Sequence, residues 1–262
     1  MRLVLIFYAF AREVASLKRR LKSRKPLGAL KGFRVESGER EFVFIATGMG
    51  PNRASEAVRR ACEGFSGIES ILSIGVAGAL SAGLKAGDIV VGDRLVRTAG
   101  KSVEILDCAQ AAQSYGNALR AARIPFSVGA ILTSDVPLLD GREKRAAKEH
   151  SGAIAVDMES AAIGAEAVSR GIPFAVVRAI IDELDDEVFG ADLPDSEGNV
   201  STGAVAAYFA RNPGAILRVP RMMINLSRAT RALADAIEAL IVPSANETGR
   251  EGRTNPPTLR RR

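Results

Sequence analysis

Two short segments of this chain place carboxylates where a strand ends, and the residues around them decide what those acids could do. Ala155-Val156-Asp157-Met158-Glu159-Ser160-Ala161-Ala162 sets two acids among small residues at a strand-to-helix junction. An acid near a helix N-terminus is favoured by about 0.3–1 kcal/mol through the helix dipole, and Asp157 is read that way. Glu159, next to the strand end, could instead accept two hydrogen bonds from a ribose diol. The second segment, Phe174-Ala175-Val176-Val177-Arg178-Ala179-Ile180-Ile181-Asp182, is an apolar run with an embedded arginine and a terminal acid. A buried guanidinium needs a carboxylate partner. An acid held at a strand terminus is a candidate acid catalyst. Glu183, Asp185, Asp186 and Glu187 follow directly, so a solvated acidic loop is an equal alternative for Asp182.

Two glycine-rich turns accompany these acids. Thr47-Gly48-Met49-Gly50 precedes Pro51-Asn52, which opens a helix, and Gly75-Val76-Ala77-Gly78 follows an apolar run. Glycine lets backbone N–H groups approach a ligand, and a helix N-terminus favours an anion or a polarised oxygen. Each turn alone also reads as an ordinary tight turn. Neither fits G-x-G-x-x-G, and the first strand runs into Ala9-Phe10-Ala11 without glycine, which argues against a dinucleotide site.

The elements that must position these residues follow from hydrophobic patterning. Strands are predicted at Leu3–Tyr8, Phe42–Ala46, Ile71–Val76, Ile89–Val91, Val128–Leu132, Ile154–Val156 and Phe174–Ile181. Amphipathic stretches at Arg12–Leu21, Asn52–Cys62 and Glu159–Ser169 lie between them. Near-continuous apolar strands separated by helices predict a single α/β domain, a mostly parallel twisted central sheet flanked by helices. That domain is predicted to span residues 1–242. Residues 217–241 form a C-terminal helical extension whose polar side carries Arg218, Arg221, Arg228 and Arg231. Residues 243–262 read as a disordered basic tail.

Composition bounds the remaining options. The chain has 262 residues, 47% of them hydrophobic, which suffices for a substantial core. Lys and Arg number 36 against 30 Asp and Glu, a net charge of +6 concentrated at Arg19–Lys25 and Arg260–Arg262. No aromatic residues interleave with these clusters, so they read as solvated faces and not as a nucleic-acid interface. Cys62 and Cys108 are far apart and His150 is the single histidine, so no zinc site is predicted and the thiols read as reduced, in a cytosolic protein. The apolar opening Leu3–Phe10 is too short to span a bilayer.

Taken together and in order, Thr47–Gly50, Gly75-Val76-Ala77-Gly78-Ala79-Leu80, Gly87-Asp88-Ile89-Val90-Val91, Asp157-Met158-Glu159 and Arg178–Asp182 resemble the nucleoside phosphorylase superfamily. The nearest branch in motif is the 5′-methylthioadenosine/S-adenosylhomocysteine nucleosidases. The resemblance implies cleavage of the N-glycosidic bond of an adenosine-like substrate, with no cofactor and with water or phosphate as co-substrate. It implies that Glu159 holds the ribose 2′- and 3′-hydroxyls, that Met158 packs on the sugar and that Asp182 protonates purine N7. Glu13 corresponds to the glutamate that activates water. Thr47, Gly48 and Gly50 lie where the nucleophile is held, Val136 and Leu138 where the base is held. Val76, Ala77 and Arg178 are further expected substrate contacts. Adenine leaves poorly until N7 is protonated, so an acid with a raised pKa is what the chemistry requires.

Two departures narrow the reading. Ile181 stands where the nucleosidases usually carry a small polar residue that orients the acid. The segment Asn212-Pro213-Gly214 with its long basic helix, and the Asp185–Asp195 loop, look more like the hopanoid-associated branch, which removes adenine from adenosylhopane. That narrower resemblance implies a lipid-linked nucleoside, a homo-oligomer and peripheral contact with the inner face of the membrane. The rivals are a soluble nucleosidase for methylthioadenosine or adenosylhomocysteine, and an inactive nucleoside-binding or membrane-surface protein on the same scaffold.

Overall fold

The computed structural model describes residues 2–28, 30–99, 102–188, 210, 211 and 213–241. Ten strands are described: β1 Arg2–Tyr8, β2 Lys25–Pro26, β3 Gly32–Ser37, β4 Arg40–Ala46, β5 Ile68–Ala79, β6 Ile89–Ala99, β7 Ser102–Asp107, β8 Ser127–Thr133, β9 Ala155–Asp157 and β10 Phe174–Asp182. The helices are α1 Ala15–Arg20, α2 Pro51–Gly64, α3 Ala109–Ala121, α4 Gly141–Ser151, α5 Ser160–Ser169 and α6 Val219–Ile241, the last preceded by a 3-10 turn at Pro213–Arg218.

Parallel pairing carries the centre of the sheet. β1 lies between β4 and β5, and β5 also pairs with β10, all in parallel. Leu3 to Tyr8 are buried without interruption, as a strand covered on both faces requires. Antiparallel pairings lie around this centre: β3 with β4, β2 with β3, β6 with both β7 and β10, and β9 with β5. The sheet is therefore mixed. Alternation of buried Phe33 and Val35 marks β3 as a strand covered on one face. The sheet also closes on itself, since β5, β10, β6, β8 and β9 each pair with the next and β9 returns to β5. This closure brings Asp157 of β9 to Arg178 of β10.

Two expected strands are longer than their apolar runs. β5 continues from Val76 to Ala79 through its glycines. β6 continues past Val91 through Asp93, Arg94 and Arg97, because its second half pairs with both β7 and β8.

Helices cover both faces. α1, α3 and α6 pack over one apolar layer that includes Tyr8, Leu17, Phe44, Val177, Leu233 and Ile237. α2 and α5 pack over the other, with Leu5, Val58, Ile131, Ile163 and Val176. Each fully buried Leu, Ile or Val contributes about 1.5–3 kcal/mol through removal from water. Pro51 starts α2 behind Gly50, whose φ of +94° a side chain would strain. Asp140 caps α4 by accepting from the N–H groups of Arg142 and Glu143, and Gly152 ends it in the left-handed conformation.

The C-terminal helix divides along its length. Ala229, Leu233, Ala234, Ile237 and Ile241 are sealed against the sheet, whereas Met222, Met223 and Ile224 are exposed and Leu217 before them is 83% exposed. Among the described residues, no helix is long and apolar enough to cross a membrane. Arg20, within the basic cluster at 19–25, is bound to Asp235 at 2.5 Å and Glu238 at 3.0 Å on the same helix. The tail at 243–262 and the segment 189–209 lie outside the described residues.

Candidate active site

Glu13 follows β1 in a short turn and is buried. Its Oε2 accepts from the backbone N–H of Ala9 at 2.8 Å and Phe10 at 2.9 Å, and its Oε1 from Val76 N–H at 2.9 Å. A Cβ on Gly75 would lie 2.6 Å from Glu13 Oε1, so glycine there clears the acid's seat. Burial raises the pKa of Glu13, against the pull of those three N–H groups and of Arg178.

Glu159 stands at the start of α5. Its Oε1 accepts from Gly50 N–H at 2.9 Å, which ties the Thr47–Gly50 turn to the second acid. Its pKa is pushed up to about 7, first by burial and then by the charge of Asp157. The Thr47 hydroxyl lies 2.7 Å from Gly48 O, and Gly48 N–H donates to Ala9 O at 3.2 Å, so this turn also abuts the Glu13 turn.

Asp182 ends β10 opposite Gly78, where a Cβ would come within 2.9 Å of Asp182 Oδ2. Glycine is required there for the same reason as at position 75. Burial raises the pKa of Asp182, while Lys144 opposes that shift. Lys144, from α4, donates to Asp182 Oδ2 and also to Glu183 O at 2.7 Å and Asp186 O at 3.1 Å. Nothing in the sequence distinguishes Lys144 from its neighbours Arg142 and Arg145. Its spacing of three from Gly141 is the one usable signal, since both lie against the loop after Asp182.

Arg178 and Asp157 differ from their expected roles. Arg178 is 2% exposed, and its guanidinium donates to Asp157 Oδ2 at 2.8 Å, Ser73 Oγ at 2.8 Å, Ser160 Oγ at 2.7 Å and Val177 O at 3.2 Å. These contacts hold it inside the closed part of the sheet and not in a substrate-facing position, which corrects the expectation that it binds substrate. Asp157 does accept from Ser160 N–H, at 3.2 Å, at the start of α5. Its main partners are Arg178 and the hydroxyls of Thr133 and Ser160. Charge pairing across the closed sheet, and not the helix dipole, accounts for it. Ser73, Thr133 and Ser160 belong to this network and carry no signal in sequence.

The remaining expected contacts are spread around the opening. Met158 is half-buried between the two acids of its segment. Ser134 N–H donates to Asp157 O at 2.8 Å, which holds the 134–138 segment beside it. Val136 there is 63% exposed, and Leu138 is half-buried against Leu80, Val96 and Leu132. Val76 contributes its N–H to Glu13, as above. Ala77 is buried with its methyl in the core under α2 and α5, which leaves only its backbone to face a ligand. Ile181 packs toward α1, α3 and α6, away from the acid that follows it.

The loop after Asp182 is not loosely solvated. Glu183 pairs with Lys85 at 2.9 Å, Asp185 with Arg145 at 2.5 Å, Asp186 with Arg221 at 2.6 Å, and Glu187 with Arg218. Val188 N–H donates to Leu139 O at 2.8 Å, joining this loop to the 134–139 segment.

Asp157 pairs directly with Arg178, and the same guanidinium acts on Glu13 and Glu159 through its charge, so three acidic groups share one cation. Such a field favours a cation that develops during reaction. Among the described residues, no group of three or more His, Cys, Asp and Glu is arranged to hold a metal ion. A separate cavity of about 390 Å³ between Leu27, Arg34, Arg60 and Phe65 contains none of these acids, and the chemistry is assigned to the acid-lined site.

The model of the phosphorylase superfamily matches residues 4–210. Among solved structures, the chain is similar to futalosine hydrolase of Helicobacter pylori, with 18% identity over 92% of this chain and 97% of that one, at a TM-score of 0.69. It is similar to 5′-methylthioadenosine/S-adenosyl homocysteine nucleosidase of Campylobacter jejuni, with 16% identity over 90% and 97%, at a TM-score of 0.70. S-adenosylhomocysteine nucleosidase of Streptococcus pyogenes gives 22% identity over 92% and 98%, at a TM-score of 0.66.

Proposed function

Because this chain belongs to the phosphorylase superfamily, we propose that it is a nucleosidase that breaks the N-glycosidic bond of a 5′-substituted adenosine and releases adenine. The observation that carries this is that Asp182, its pKa raised by burial, ends β10 opposite Gly78 on the same strand, β5, whose Val76 N–H holds Glu13, while Gly50 N–H holds Glu159. Asp182 donates its proton to purine N7 as the glycosidic bond breaks and its electrons pass to the base. Glu159 grips the ribose diol, and the negative pocket favours the oxocarbenium-like sugar. Glu13, whose pKa burial raises, takes a proton from the water that attacks the anomeric carbon. The same excess of carboxylate disfavours a phosphate dianion, which supports hydrolysis over phosphorolysis.

The finer reading is that the 5′ substituent is lipid, as in adenosylhopane. Its support is the exposed apolar set Leu139, Leu217, Met222, Met223 and Ile224, flanking the loop that follows Asp182. In this reading the protein is a cytoplasmic homo-oligomer that meets its substrate at the inner face of the membrane. The rival within the same chemistry is a soluble nucleosidase for methylthioadenosine or adenosylhomocysteine. Incubation with 5′-methylthioadenosine and with a lipid-linked adenosine, followed by measurement of free adenine, tests both. Release from the lipid-linked substrate alone supports the finer reading, release from methylthioadenosine supports the rival, and release from neither defeats the nucleosidase proposal.

A further inference from the structure

Lys144 is the one described residue that reaches the candidate acid with a full charge, and it does so from a sealed position. The Lys144 side chain is 1% exposed, whereas that of Asp182 is 21% exposed, so the lysine stands behind the acid and cannot reach a substrate itself. Asp182 Oδ2 takes the lysine, and part of the acid's side chain stays accessible. The position of the lysine follows from its helix: Asp140 caps α4, Lys144 N–H donates to Asp140 O at 3.1 Å, and a Cβ on Gly141 would meet Leu184 O at 3.0 Å. Close packing of that first turn drives Lys144 into the loop at 183–186. Ile181, turned to the opposite layer, gives the acid no polar support.

We propose that Lys144 is a positioning residue for the glycosidic cleavage, which orients Asp182 and stabilises the carboxylate left behind once its proton has passed to N7. This rests on the reading of Asp182 as the acid. Burial favours the protonated form of Asp182, with Lys144 pulling the other way. As the C1′–N9 bond breaks, the proton moves to N7, the bonding electrons move to N9, and Asp182 becomes anionic next to an ammonium that needs no rearrangement. The stabilisation thus appears in the transition state and not in substrate binding, which places the effect in kcat. The charged groups facing Asp182 are Lys144 from α4 and Asp186 from its own loop, the latter paired with Arg221 of α6. Glu183 beside them is paired with Lys85.

The test is Lys144→Met in the full-length protein, assayed for adenine release from whichever of 5′-methylthioadenosine or the lipid-linked adenosine the enzyme cleaves, across about pH 5–10. Loss of a hydrogen bond between charged groups predicts a plateau kcat lower by about 10–100-fold, with KM little changed. Without its cation Asp182 should keep its proton to higher pH, so the alkaline limb of kcat should move upward. A purely structural lysine would lower kcat equally at every pH, and that outcome overturns the proposal. Should Lys144→Met fail to fold by circular dichroism, Lys144→Arg retains the charge. Its alkaline limb should stay at the wild-type position, and an upward shift there overturns the proposal as well. Combining Lys144→Met with Asp182→Asn separates the two levels of inference. If Asp182→Asn alone is fully active, the acid reading fails. If Asp182→Asn is inactive yet Lys144→Met merely scales the pH profile, only the role of Lys144 fails.

Discussion

Asp182 and Glu183 are adjacent acids with opposite fates, and they mark the border between two acidic regions. On one side Glu13, Asp157, Glu159 and Asp182 are held by backbone N–H groups, by a sealed guanidinium or by a sealed ammonium. On the other, Glu183, Asp185, Asp186 and Glu187 are held by Lys85, Arg145, Arg221 and Arg218, cations on largely exposed side chains. Burial raises the pKa of Glu13, Glu159 and Asp182, while Lys85 holds Glu183 below its usual value. The residue types are the same. Desolvation fits Glu13, Glu159 and Asp182 for proton exchange, and solvent leaves the second group as fasteners for a loop.

The comparison breaks first at Asp182. Asp182→Asn removes the transferable proton and should lower kcat by about 10²–10⁴-fold with substrate binding retained. Asp185→Asn, three residues on, should leave turnover near the wild-type value. Comparable losses in the two variants, measured as adenine release, would remove the distinction between the regions.

The next effect concerns stability. Arg178→Met leaves Asp157 buried without its cation and should destabilise the fold by about 3–5 kcal/mol. Lys85→Met, which breaks an exposed pair with Glu183, should cost no more than about 1 kcal/mol. Denaturant titration of both variants measures the ratio, and similar midpoints would show that Arg178 is not the centre of a sealed network.

Glu159→Gln sharpens the comparison within the pocket. A neutral amide grips a diol less strongly than a carboxylate, so binding and turnover should both fall. The loss should be smaller on a 2′-deoxy substrate than on the ribo form, and equal losses would mean that Glu159 contacts no 2′-hydroxyl. The same variant has a pH signature. A glutamate whose folded pKa is raised from 4.5 to about 7 binds more protons folded than unfolded. Its contribution to stability is present below 4.5 and is lost as pH rises through about 7. The wild-type melting temperature should therefore fall over that range more than that of Glu159→Gln.

Sequence patterning carried the flanked sheet, the Thr47–Gly50 turn and the two acid-bearing segments, because each is written in contiguous residues, whereas the Glu13 turn was reached only through the family resemblance and Gly75–Gly78 proved to be strand. The glycines at 75 and 78 read as turn formers but lie within β5, and their service to Glu13 and Asp182 needed the register of that strand against its neighbours. What the sequence hid was long-range. β6 looked like a three-residue run because Asp93, Arg94 and Arg97 interrupt it, and pairing with β7 on one side and β8 on the other explains their place in a strand. Arg178 announced that a carboxylate must exist, but Asp157 is brought to it by closure of the sheet, which no local period encodes. Lys144 sits in a run of exposed charges, and one helical phase separates it from Arg145 on the surface.

The smallest expected effect lies at Arg218 and Arg221, where two accounts of the basic helix meet. Read from sequence, these arginines could attract anionic membrane, at about 1 kcal/mol per charge near the surface. In the fold both are paired, Arg218 with Glu187 and Arg221 with Asp186, so much of their charge is already compensated within the protein. The pairing assigns them to holding the loop behind Asp182, while the exposed Leu217, Met222, Met223 and Ile224 are the part of this segment that could meet lipid. Arg218→Gln combined with Arg221→Gln should then change stability by less than about 1 kcal/mol. Adenine release should fall only a few-fold, and about 0.5 M salt, which screens exposed pairs, should reproduce that fall in the wild-type protein. Sedimentation with vesicles rich in anionic lipid should be nearly unaffected by the double substitution at low salt, but reduced by Met223→Gln with Ile224→Gln. Strong loss of vesicle binding in the arginine variant, with activity on a small soluble substrate intact, would reverse the assignment and make the helix a charge-driven membrane contact.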